Sequence, residues 1–556
     1  MGHMLLWIEG LAAMLLLVAW VTAVAARRRH RGVQRALPIT AALLVFGVAV
    51  LAVVGAYALR YITLCRPNLV LYTASWAVVF AAGAVAVLAR GLRTRDDERA
   101  AKAWPAGRLG VALAAVIALD MMTLWNMDLA ARNYLTAQRA EAGALALSVA
   151  PARVPDRANA ALVYQQAADA MKSLDDELGE KVTTERRESK AGQPEGPWSR
   201  VSGWLREPGS PEVDLASPEL REHLRQGAPV LVLVRRAAAM PDCYFERDWG
   251  RPSPDMLLPE YDGLRRASRR LMLEARCRAA DGDAAGAVAD VSAMFQMAGH
   301  TRTEAILVGL LVAMMMDDMA ASALEAVVAT GQVQPADLAA LAFDDTVAYQ
   351  RCLARALRME EAFGLGCFAM LGEGGSPALM LELMGETRTF LWWPVAVVWR
   401  VFIMPEDLAS YRDTLHTFQT QAAFPYHQAV GEHEDIERLV ETGQLGVLTR
   451  MLVPALSKCA ERAAESDARH RLAQTALAAM AWRGKHGRMP TALEDLAPEV
   501  LPRVPIDPFD GRPLRKTTRD GKVVLYSIGP DLKDDGGAAW ENETRTGDLT
   551  FRLPGD

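Results

Sequence analysis

Two clusters of arginine, each lodged between long apolar stretches, constrain this chain more than any other feature. Residues 5–26, 38–59, 68–89 and 109–127 are each apolar for long enough to cross about 30 Å of hydrocarbon. Arg27, Arg28, Arg29, Arg31 and Arg35 follow the first stretch. Arg90, Arg93, Arg95, Arg99, Lys102 and Arg108 separate the third from the fourth. Positive loops stay in the cytoplasm, so the link "YITLCRP" between the second and third stretches lies outside, and the fourth stretch exits outward. A cleavable signal carries its charge before its apolar run, whereas here "RRRHR" comes after it. The expectation is a multi-pass protein of a bacterial inner (cytoplasmic) membrane. Residues 1–132 form a four-span transmembrane anchor, and everything after about Arg132 is extracytoplasmic, which is periplasmic.

The remaining chain is large enough for more than one core, since 556 residues exceed a single folding unit. A net charge of −6 argues against nucleic acid, whose phosphates select basic faces. Cys65, Cys243, Cys277, Cys352, Cys367 and Cys459 form no CxxC or Cys/His ligand pair, which leaves buried thiols or one structural bridge. Asp120 is the one carboxylate well inside an apolar stretch; it reads as an ion path or, better, as a group paired near the outer surface.

Residues 133–460 carry helical periodicity and form an extracytoplasmic α-helical domain. "ANAALVYQQAADAMKSL" places alanine and larger apolar residues three and four apart, suiting one buried face. Residues 259–300 read as two helices joined at Asp281–Gly282–Asp283, with Gly282 ending the first and Asp283 capping the second. The apolar run in "EAILVGLLVAMMMDD" is short for a span and predicts a buried core helix. "VQPADLAALA" starts a further helix with Pro335 in its first turn. Residues 181–212 are polar and rich in Gly, Pro and Ser, and read as a loop excursion partly ordered by Trp198 and Trp204. In "TFLWWPVAVVWRVFIMP", Trp392, Trp393 and Trp399 suit either an outer-leaflet interface or a buried connector, and the connector is favoured. "NAALVYQQA", "CYFERDWG", "DGDAAGA" and "MPEDLASYRDTL" resemble stretches of uncharacterised planctomycete-type membrane-anchored helical proteins. The "DGDAAGA" turn also resembles the unit of helical-hairpin repeats, without a repeat period.

Residues 461–556 change character. An alanine-rich helix stops at Gly484–Gly487; "RMPTALEDL" and "IDPFDGRPL" follow, then the strand "KVVLYSIG" and an acidic, glycine-punctuated loop. Gly487, Pro490, Asp507, Pro508, Gly511, Pro513, Ser527, Gly529 and Asp531 fall in an order that resembles the globular domain of type II secretion major pseudopilins. That resemblance implies a small α+β module with a calcium-braced loop. A single apolar helix with a basic leader, which filament assembly needs, does not precede it here. Asp531, Asp534 and Asp535, with Asp548, supply the hard oxygens calcium prefers. Lys533 and Asn542 stand where an EF-hand requires ligands, so the loop is not one. The opposing reading is a solvated acidic turn.

Signature motifs for catalysis (GxSxG, HExxH, P-loop, dinucleotide fingerprint) do not occur. His427 and His433 are six apart, off one helix face, and Asp242, Cys243, Glu246 and Asp248 beside Trp249 suit loop packing better than a pocket. The expected fold is therefore mainly α: a four-helix anchor, a large all-α helical-hairpin domain and a small pseudopilin-like α+β module. The expected function is a membrane-anchored scaffold or binding protein, more a mount than an enzyme, with other envelope proteins as partners and homo-oligomers possible. The alternatives are an accessory component of a type II secretion or pilus-like system, and an enzyme whose site is assembled from residues distant in sequence.

Overall fold

A computed structural model describes residues 106–189, 195–253, 256, 258–372, 400–401, 404–429, 447–541 and 543–555. The apolar stretches 5–26, 38–59 and 68–89, both basic clusters up to Lys102, Cys65, Trp392, Trp393, Trp399, His433 and Asn542 lie outside them, as does the side chain of Asp120. The chain divides into two compact units. One holds Met1–Gln138, Phe368–Ser410 and Gln444–Val447; the other holds Arg139–Cys367, Tyr411–Gly443 and Leu448–Asp556. The described chain is mainly helical, with a small three-stranded sheet near its C-terminal end.

Helix α1 spans Ala106–Val149, so the apolar stretch 109–127 continues as helix well past its last apolar residue. Asn159 then caps α2 (Ala160–Glu188), its side chain accepting from the Ala161 amide. Ala160, Tyr164, Ala167, Met171, Leu174, Leu178 and Val182 form the expected buried face.

Much of the stretch 181–212, expected as a loop excursion, is helix. The helix α2 runs on to Glu188, and α3 (Pro197–Arg206) follows. Pro197 supplies a helix-ready φ at the first position. The Glu185 carboxylate then accepts from the Trp198 and Ser199 amides at 3.0 and 2.8 Å, doing the work of an N-cap from the preceding helix. Trp198 and Trp204 pack against a core of Leu178, Val201, Leu205, Leu220 and Leu273.

Helices α4 (Pro218–Ala238), α5 (Pro259–Ala280), α6 (Ala284–Arg302) and α7 (Leu307–Ala329) complete the helical body with α2. Gly282, at φ 87°, ends α5, and the Asp283 side chain caps α6 through the Gly286 amide at 2.9 Å. Most of helix α7 is buried, which fits its largely apolar sequence. Among the described residues it alone is long and apolar enough to cross a membrane by length and composition, yet two-thirds of its apolar window (67%) is buried within the protein. It packs on α5, α6 and the C-terminal sheet, as a core helix does.

The Pro335 helix, α8 (Pro335–Leu338), is a single turn. Helices α9 (Tyr349–Gly372), α10 (Met404–Gln421) and α11 (Val447–His486) follow. The boundary expected at 460/461 falls inside α11. Strands β1 (Arg515–Arg519), β2 (Lys522–Ser527) and β3 (Leu549–Leu553) form an antiparallel sheet in the order β1-β2-β3. Cys243, Cys277, Cys352, Cys367 and Cys459 are free thiols.

Candidate functional site

The acidic loop connects β2 to β3, and strand pairing decides which side chains meet it. Thr517 pairs with Val524 and Arg515 with Tyr526, so these four, with Arg519, share one sheet face. Gly537 lies against that face: a Cβ there would come within 2.7 Å of the Thr517 methyl and 3.4 Å of Tyr526 and Val524. The loop is thus a lid over the sheet. This explains why β2, expected to alternate, is buried at every position from Val523 to Ser527.

Two fully buried aspartates pin the lid. At its start, Asp507 Oδ1 accepts from the Phe509 amide (3.0 Å) and the Ser527 hydroxyl (2.8 Å). Its Oδ2 accepts from the Ile528 amide (2.9 Å) and faces Arg515 Nη1 at 3.3 Å. At its end, Asp548 accepts from the Gly537 amide at 2.6 Å and the Asp535 amide at 3.3 Å. Burial raises both carboxyls above the ordinary range, and the amide donors oppose that rise.

Between these pins the cations of β1 hold the loop. Arg515 Nε faces Asp534 at 3.1 Å, and Arg519 donates to the carbonyls of Asp535 and Gly536, each at 3.1 Å. Asp531 Oδ1 accepts from the Lys533 amide at 3.2 Å, while its Oδ2 is shielded from solvent without a hydrogen-bond partner. The Asp535 side chain is exposed. Asp534, Asp535 and Asp548 are close enough for the first two to raise the third's pKa. Among the described residues no group of three or more His, Cys, Asp or Glu side chains is placed to hold a metal ion. A calcium ion at Asp534 and Asp548 would compete with Arg515 and two amides, donors that the sequence alone did not reveal.

A second cluster lies where α6, α7 and α11 meet. A cavity of about 290 Å³ is lined by Phe295, Arg302, Asp317, Phe343, Asp344 and His470, among others. His470 stacks on Phe343, centroids 4.3 Å apart. Its Nδ1 meets Asp317 at 2.7 Å, and its Nε2 donates to the Asp344 carbonyl at 2.8 Å. With an acceptor at each nitrogen, these contacts favour the protonated ring. Burial alone would lower its pKa, but the Asp317 charge and these bonds raise it. The pair joins α11 to α7. Beside it, Arg462 pairs with Asp318, and Asp467 accepts the Tyr349 amide at 2.6 Å.

The segment "CYFERDWG" holds a third cluster. Cys243, Tyr244, Phe245 and Trp249 are buried, whereas Asp242, Glu246 and Asp248 are exposed or nearly so and do not converge on a pocket. The buried charge is Arg247, which forks onto Glu304 at 2.9 and 2.8 Å and also pairs with Glu260. The Tyr261 hydroxyl donates to Glu304 as well. No local motif marks this group, because Arg247 and Glu304 are 57 residues apart. His300 likewise joins distant segments: Nδ1 meets the Tyr164 hydroxyl and Nε2 meets the Met240 carbonyl, both at 2.9 Å, and burial lowers its pKa. The His427 amide donates to the Pro508 carbonyl, packing that segment against the "DPFDG" turn.

No protein-family model, curated protein or solved structure matches the chain.

Proposed function

We propose that this protein is a membrane-anchored extracytoplasmic scaffold: residues 1–132 act as a four-span mount in a bacterial inner membrane, and the helical body presents a rigid surface to other envelope proteins. One observation carries the reading. Several ionisable groups buried in the body join elements to one another: His470 to Asp317, Arg247 to Glu304 and Glu260, Arg462 to Asp318, Asp507 to the loop amides. Paired buried charges fix which surfaces meet, a use suited to a body that holds its shape for a partner. The arginine clusters flanking the apolar stretches support the orientation.

The experiment is in vivo crosslinking followed by purification of the detergent-solubilised full chain. Recovery of one or more defined envelope proteins is expected; recovery of none counts against the scaffold. Protease added to spheroplasts is expected to digest the C-terminal module while a cytoplasmic control survives. A protected module would remove the extracytoplasmic assignment. The order of helix, turns and sheet in residues 461–556 favours a second reading, an accessory role in a type II secretion or pilus-like system, for which the recovered partners would be pseudopilins.

A further inference from the structure

Along α1, the exposed side chains change kind over a short distance. Met122, Trp125 and Leu129 are 57%, 65% and 48% exposed, and their three- and four-residue spacing puts them on one stripe. Continuing at that spacing, the stripe reads Arg132 and then Thr136, with Asn133 alongside. Tyr134 is exposed on another side of the helix, at nearly the same height. Lone exposed apolar residues need no explanation, but three in register, continuous with the apolar stretch 109–127, do.

The inward side of the same turns carries Asp128, which is buried and takes two guanidinium groups. Arg132 Nε lies at 2.8 Å from one oxygen and Arg400 Nε at 2.7 Å from the other. Arg400 is itself buried, whereas the Arg132 side chain is about a third exposed (34%). One carboxylate between two arginines leaves one net positive charge, on the side chain with access to the outside.

We propose that this turn of α1 is the outer-leaflet boundary of the membrane: acyl chains cover Met122, Trp125 and Leu129, and Arg132 lies at the level of the phospholipid phosphates. This rests on the anchor reading above and places its edge. From Trp125 to Thr136 the helix rises about 16 Å at 1.5 Å per residue. The headgroup zone of one leaflet is roughly 5–8 Å thick, so the stripe passes from hydrocarbon to water within that rise. Trp125 and Tyr134 are the residue types that favour such an interface. Asp128, held between Arg132 and Arg400, keeps its charge away from lipid, so a carboxylate is tolerated at the rim of the hydrocarbon. Its partner Arg400 lies at that height as well.

The test places p-benzoylphenylalanine at position 125, 129 or 136 of the full chain, reconstituted in phosphatidylethanolamine/phosphatidylglycerol vesicles and irradiated. Mass spectrometry is expected to find phospholipid adducts at 125 and 129, and several-fold fewer at 136. Equal adduct formation at all three positions, or none at 125 and 129, would overturn the boundary. So would adducts at 125 and 129 to a second protein chain. Vesicle flotation after carbonate extraction separates the two levels of the argument. A protein that floats but lacks lipid adducts loses only the boundary, and one that does not float loses the anchor too.

Discussion

His470 shows how a single buried side chain can set a pH response. Its folded pKa is raised above the ordinary 6.5 by Asp317, so the stabilisation is full below about 6.5 and is lost as pH rises through the folded value. His223 has the opposite sign. Burial first, then Arg270, lowers it to about 4, so its contribution is full above about 6.5 and is lost as pH falls toward 4. Melting followed by circular dichroism should give a wild-type midpoint that declines on the alkaline side, and His470→Gln should flatten that limb while leaving the acid limb. An unaltered alkaline limb in the variant would show that the imidazolium is not its source. Asp507 carries a different kind of weight. Asp507→Ala strips acceptors from two amides, a hydroxyl and a guanidinium inside the C-terminal module, and a loss of about 3 kcal/mol is expected in urea unfolding. A loss within error of zero would mean that water replaces the carboxylate.

At the scale of elements, helix ends set by neighbours in sequence were legible, and those set by distant partners were not. Asn159, Gly282 and Asp283 announce their roles because cap and capped group are within a few residues. The start of α3 was not readable, because its cap is Glu185, 13 and 14 residues earlier on another helix. The acidic loop combines both cases. Its acids and glycines stand out in the sequence, but Arg515 and Arg519 become its partners only once β1 pairs with β2 and turns them to the same face. Two predictions follow from the lid. Gly537→Ala must adopt φ near 81°, which costs about 1–2 kcal/mol before the contact with Thr517 is counted, and faster proteolytic nicking between β2 and β3 is expected. The calcium brace proposed for Asp531, Asp534, Asp535 and Asp548 requires that EDTA lower the melting midpoint of the wild type but not of Asp531→Ala. Equal midpoints with and without EDTA would leave Arg515, Arg519 and the amides as the whole brace.

At the scale of the whole molecule, the sequence order suggests a separable C-terminal module beginning near residue 461, whereas the packing makes α11 common property. The same helix pairs Arg462 with Asp318 and His470 with Asp317, caps α9 through Asp467, and reaches forward through Arg471 to the Ile506 carbonyl at 2.6 Å. The sheet in turn lies on α7 through β3. Composition could not reveal this, since an alanine-rich helix reads alike whether one face or two are covered; Ala463, Ala464, Ala468, Leu472 and Ala473 are all buried. A fragment of residues 461–556 would expose that apolar row together with Arg462, Asp467 and His470, stripped of partners. Such a fragment is expected to show helix without a cooperative thermal transition and with poorly dispersed amide resonances. Residues 139–556, which keep α7 and α9, should melt cooperatively. If the short fragment melted as sharply as the long one, the contacts of α11 with α7 would be incidental to the module, and its fold would be carried by Asp507, Asp548 and the sheet alone.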